Sequence, residues 1–157
     1  MTDDQLIELL EQYRSGIEAE LSLLHQLSGV ARRQREVSRE SDFDTFRSVA
    51  DNRDDIMRGL VALEENLREV RQVLTSHRER ARSIPGYDAV AERHLEAVRL
   101  VNAILATDQE SMSALADAEL ARRSAVVGIE RGETTLAAYR RVLSPPIANA
   151  SLVDKVG

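Results

Sequence analysis

Residues 46–84, FRSVADNRDDIMRGLVALEENLREVRQVLTSHRERARSI, decide the fold. Phe46, Val49, Ile56, Leu60, Leu63, Leu67, Val70, Leu74, His77, Ala81 and Ile84 follow one another at alternating steps of three and four, and Arg53 is the only charged residue on that row. Steps of three and four place all of these side chains on one face of an α-helix, near 3.5 residues per turn. A strand would need alternation at every second position, and there is none. The stretch predicts a long amphipathic helix with a coiled-coil-type seam.

Upstream, Leu6, Leu10, Tyr13, Ile17, Leu24, Leu27 and Ala31 repeat the same spacing, with Leu21 beside the row and Glu20 interrupting it. Thr2 or Asp3 can cap this first helix, and the acidic Asp3 and Asp4 suit the positive end of its dipole. The run Ser41-Asp42-Phe43-Asp44-Thr45-Phe46 separates the two helices, with Ser41, Asp42 or Asp44 as the cap and both phenylalanines expected to plug the bundle end. Downstream, Pro85 and Gly86 form the strongest break in the middle of the chain. A third helix is expected beyond it, carrying Tyr87, Ala91, Val98, Val101, Leu105, Met112, Leu115, Val126 and Ile129 on its apolar row and ending before Pro145 and Pro146. The expected organisation is an all-α, elongated antiparallel bundle of three long helices over 3–39, 43–82 and 88–143. These form one helical domain over 1–143, followed by a flexible tail over 144–157.

Length then singles out one segment. At 1.5 Å per residue the first two helices span roughly 55–60 Å and the third more than about 80 Å. The third is therefore expected to run past its neighbours near Gly128. The overhanging part carries a second apolar row of Ile129, Leu136, Tyr139, Val142 and Leu143, the candidate partner-binding residues. Gly128 and Gly132 mark its start, either as a weak joint or as a point where another backbone can come close.

Composition narrows the function classes. Charged residues make up 31% and aromatics 3%, and the net charge is −6, so no broad basic field invites nucleic acid. The arginine clusters at 32–39 and 78–82 are mixed with Glu36, Glu40 and Glu79 and sit where a helix dipole favours cations. The absence of cysteine excludes disulfides, thiolate metal sites and cysteine nucleophiles. The acidic N-terminal stretch MTDDQLIELLEQ does not read as a secretory signal, and no run has the roughly 18 apolar residues of a membrane span. A cytoplasmic protein without membrane insertion is the expectation.

Catalytic patterns are missing as well. None of His25, His77 and His94 has a glutamate three residues before it, as helical di-iron sites require. There is no phosphate-binding glycine loop, zinc-protease pattern or serine elbow. His77 and His94 flank the Pro85-Gly86 turn and could face each other, but they read far better as amphipathic residues at a bundle end than as a metal site. No enzyme activity, cofactor or metal is expected. The charged residues on the apolar rows, Arg53, Asp108, Glu119 and Arg122, read as register keys or as the weak seam of a bundle that opens for a client helix.

The layout resembles the FlgN family of flagellar export chaperones. The likeness rests on the Leu-rich helix Leu6–Leu27, the turn Ser41-Asp42-Phe43-Asp44, and Asn52-Arg53-Asp54-Asp55-Ile56 followed by Leu60, Leu63, Glu64 and Leu67. Late in the chain it adds Gly132, Ala138-Tyr139 and the Ser-Leu-Val-Asp-Lys stretch at 151–155. The resemblance implies a cytoplasmic chaperone of type III secretion that binds hook–filament junction (hook-associated) proteins. Such a chaperone keeps its clients soluble and delivers them to the export apparatus, as a monomer or homodimer. It also implies client contact through the C-terminal row Ile129, Leu136, Tyr139, Val142 and Leu143. The competing expectation is a scaffolding coiled coil that self-associates through the same segment.

Overall fold

The structure, a computed structural model, describes residues 1–40 and 42–143, with side chains up to Arg140. Among these residues the chain is all-α and has no strand: α1 is Asp3–Ser38, α2 Phe43–Ser76, α3 Arg78–Arg82 and α4 Tyr87–Leu143. None of the described helices is long and apolar enough to cross a membrane. The tail over 144–157, the Ser41 cap and the side chains of Val142 and Leu143 lie outside the described residues.

Local chemistry sets the helix ends. Thr2 closes a capping box on α1: Gln5 N donates to Thr2 Oγ1 at 3.2 Å, and Thr2 N donates to Gln5 Oε1 at 2.8 Å. Asp42 caps α2, accepting from Thr45 N at 3.1 Å and from Thr45 Oγ1 at 2.6 Å, and these bonds hold its carboxyl below the usual range. Gly86 takes φ +92 between Pro85 and the start of α4, a conformation that side chains with a Cβ rarely adopt.

Where the sequence pattern runs unbroken from 43 to 82, the structure has two helices that meet at His77. His77 Nδ1 lies 3.0 Å from the Val73 carbonyl, which can only accept, so the ring donates there beside the backbone bond to the same oxygen. A side chain inserted into the helical ladder is a recognised cause of such a break.

The described chain falls into two units, Met1–Leu115 and a second that begins at Ala116, the boundary lying within α4. In the first unit the core forms two apolar clusters. One joins Leu6, Leu10 and Tyr13 to Leu67, Leu74, Ala81, Ile84 and Val90. The other joins Ile17, Leu21, Leu24, Leu27 and Ala31 to Ile56, Ala97 and Ile104. Burying a side chain such as Leu6 or Ile17 contributes about 1.5–3 kcal/mol, so these clusters carry most of the unit's stability. Every residue on the expected row of 46–84 is buried or half-buried. Of the two phenylalanines, Phe46 is half-buried, but Phe43 is exposed and plugs nothing.

The row expected to be buried on α4 is the principal correction. Val98, Val101, Leu105, Met112 and Leu115 are exposed. Val90, Ala97, Ile104 and Ser111, seven residues apart, are buried in their place. Ala97 and Ile104 of this row pack in the second cluster with Ile17 through Ala31 of α1 and with Ile56 of α2.

Candidate interaction surface

Two exposed apolar rows and one polar layer are the features of this molecule that the core does not use. The polar layer comes first, because it fixes how α2 and α4 meet in the first unit. Arg53 Nη1 and Nη2 donate to Asp108 Oδ1 and Oδ2, each at 2.6 Å, and Nη1 also donates to Gln34 Oε1 at 2.9 Å. Hydrogen bonding to Asp108 raises the Arg53 pKa above its ordinary value. The bland reading of Arg53 and Asp108 as register keys thus has a concrete form: one guanidinium ties α1, α2 and α4 together.

Further along, Arg71 donates to both oxygens of Glu64 at 2.6 and 3.0 Å and lies over the Tyr13 ring, 5.6 Å from its centroid. The Tyr13 hydroxyl is 3.0 Å from His94 Nδ1. Glu20, which appeared to interrupt the first helix's row, occupies a buried position on it, and its Oε1 has no hydrogen-bond partner. Burial, reinforced by the neighbouring Glu64 carboxylate, pushes Glu20 up to about 8. The Arg71 guanidinium, with Glu20 adding to it, holds Glu64 at about 2. At neutral pH Glu20 is therefore the protonated partner and Glu64 the ionised one. The sequence pattern singled out Arg53, Asp108 and the placement of Glu20, but it did not bring Glu64 and Arg71 together with Glu20.

His94 bonds Tyr13, and His77 bonds its own helix, so the two histidines do not form a pair. No group of three His, Cys, Asp or Glu placed to hold a metal ion occurs among the described residues. A cleft of about 420 Å³ is lined by Leu10 and Tyr13 of α1, Arg71 and Leu74 of α2, and Val90 and Leu95 of α4.

On the second unit, three of the sequence-predicted site residues can be placed. Ile129 is 65% exposed, Leu136 68% and Tyr139 61%, and Leu120, Val126 and Val127 are exposed on the same stretch of helix. Ile129 and Leu136 are a heptad apart and share a face; Tyr139 lies one turn further on, toward its flank. Gly128 and Gly132 have open space where a Cβ would stand. Glu119 accepts from Arg122 at 2.8 and 3.1 Å and from Arg123 at 3.1 Å.

The first unit adds residues that the sequence pattern had assigned to the core. Val98, Val101, Leu105, Met112 and Leu115 share one face of α4, and Met57 and Val61 on α2 are exposed as well. Compared with protein-family models, with curated proteins and with solved structures, the chain matches none.

Proposed function

We propose that this protein is a non-catalytic helix-binding carrier, a cytoplasmic export chaperone of the FlgN type for hook–filament junction proteins. The observation that supports the reading is the exposure of large apolar side chains at Ile129, Leu136 and Tyr139 on a single helix. In this reading Val142 and Leu143 extend the same row. A client's amphipathic terminal helix lays its apolar face along that row, completing a local coiled coil. The finer architecture, three long helices packed with coiled-coil-type seams, supplies the rigid body that carries the binding segment.

Ordering client and carrier together costs conformational entropy, which keeps affinity moderate and permits release at the export apparatus. The test is a binding assay with purified hook–filament junction proteins, comparing the full chain with a chain cut after Val127. Binding by the full chain alone supports the reading. Equal binding by both chains moves the site off the C-terminal row, and no binding by either removes the export-chaperone assignment.

A further inference from the structure

We propose that the cleft of about 420 Å³ in the first unit is a binding site for a small apolar carboxylate, a carboxylic acid with a short aliphatic tail. The site lies wholly within the first unit and leaves the client row of the second unit free.

Much of its lining is apolar. Leu10, Leu74 and Val90 are core residues that also face the cleft, and Leu95, 49% exposed, joins them. Ala91 contributes only a methyl group. A cavity of this size falls within the roughly 300–1,000 Å³ of pockets that hold small ligands.

The polar lining decides the charge of that ligand. The chain has 27 acidic and 21 basic residues, yet none of the described residues lining the cleft is acidic, and Arg71, Arg78 and His94 all line it. Cations set among apolar walls, where the field is weakly screened, attract an anion.

Most of the polar groups are already engaged. Arg71 donates to both oxygens of Glu64, Tyr13 and His94 bond each other, and the Thr75 hydroxyl donates to the Arg71 carbonyl at 2.8 Å. Two groups are not. Among the described residues, neither the Arg78 guanidinium nor the Tyr87 hydroxyl has a hydrogen-bond or ion-pair partner. A guanidinium fork pairs with a carboxylate through two parallel bonds, and a phenol is a further donor. One free guanidinium suits a monoanion; a phosphate dianion calls for more donors than the cleft leaves free. An ammonium would meet Arg78 as a like charge, and an alcohol would leave the guanidinium without its counter-ion. A carboxylate on an aliphatic tail satisfies both halves of the lining.

Octanoate is the probe, titrated calorimetrically into the full chain, with 1-octanol and octylamine as controls that carry the same length of tail. One octanoate per chain is expected, with 1-octanol at least roughly tenfold weaker and octylamine not bound. Arg78→Gln should weaken octanoate roughly tenfold, the loss expected for a charge-assisted bond, and leave 1-octanol unchanged. Leu95→Asp sets a carboxylate beside the site and should weaken octanoate as well. Both positions are exposed, so neither substitution touches the core. The three tyrosines locate the ligand: ring-proton shifts are expected at Tyr13 and Tyr87 and not at Tyr139. No saturable binding of octanoate overturns the proposal, as does equal binding of the alcohol or the amine. Octanoate binding that neither substitution weakens overturns it too. So do shifts confined to Tyr139, which would place the tail on the row of the second unit.

Discussion

Arg53 and Asp108 join α2 to α4 through two parallel hydrogen bonds of 2.6 Å, and the same guanidinium reaches Gln34 on α1. Their side chains are 22% and 21% exposed, so the pair is largely withdrawn from water. A forked guanidinium matches a carboxylate in only one orientation, and that fixes the stagger of the helices more sharply than interchangeable leucines can.

Removing one partner should therefore cost more than removing both. Asp108→Ala leaves a half-buried cation without its carboxylate and should destabilise the chain by about 2–4 kcal/mol. Arg53→Leu with Asp108→Leu restores an apolar seam and should lie within about 1 kcal/mol of the unmodified protein. Urea unfolding of the two variants distinguishes this from a surface pair, for which both losses would be small.

Glu20 gives the protein a pH dependence of identifiable sign. Its folded pKa of about 8 lies above the ordinary carboxyl value of 4.5, so between those limits the native state holds a proton that the unfolded state has released. Its contribution makes stability fall as pH rises from about 4.5 to 8 and level off above. Glu64, held at about 2, contributes in the opposite sense: its stabilisation is present above about 4.5 and is lost as pH falls toward 2. Glu20→Gln keeps the size of the side chain and removes the titration. It should stabilise the protein by on the order of 2 kcal/mol at pH 8 and much less at pH 5. Parallel stability profiles for the two proteins between pH 5 and 8 would show that Glu20 ionises freely in the folded state.

The first two helices were readable because a single row of large apolar residues dominates each. The apolar residues on the rows from Leu6 to Ala31 and from Phe46 to Ile84 are buried or half-buried as their spacing predicts, while the burial of Glu20 among them is not what spacing predicts. Tertiary packing decided α4, where two rows compete. Val98, Leu105 and Met112 are exposed, yet Val90, Ala97, Ile104 and Ser111 are buried, because Val90, Ala97 and Ile104 join clusters built with α1 and α2 residues. A pattern read one helix at a time cannot tell which row its neighbours will cover. The same limit hid the polar layer: Glu20 stands out in the sequence, but Glu64, Arg71, Tyr13 and His94 gather beside it only through the fold. On the second unit, Ile129, Leu136 and Tyr139 stand out in the sequence as large apolar residues, and the fold leaves them exposed beside Leu120, Val126 and Val127.

Glycine-to-alanine substitutions should separate close packing from open helix. At Gly16 an added Cβ would collide with the Leu67 side chain, whose Cγ lies 2.9 Å from it, and Leu67 is itself buried in the core. Gly16→Ala should cost about 1–3 kcal/mol of overpacking, outweighing the gain of about 1 kcal/mol in helix propensity. At Gly132 nothing lies within 4 Å, so Gly132→Ala should keep the propensity gain and raise helicity in circular dichroism. A destabilising Gly132→Ala would point to a close neighbour that a single chain does not contain.

The candidate row itself is best tested by separating binding from folding. Leu136 and Tyr139 are 68% and 61% exposed, so replacing both by aspartate removes little buried surface. Leu136→Asp with Tyr139→Asp should leave the urea midpoint within about 0.5 kcal/mol of the unmodified protein, the range expected at exposed sites. The same change places two carboxylates where a client helix would bury its apolar face, and charges desolvated without partners cost several kcal/mol. Binding of a hook–filament junction protein, measured by calorimetry, should therefore be lost while thermal unfolding of the first unit is unchanged. A large drop in stability would make the row part of the protein's own packing, and retained binding would locate the client on another surface.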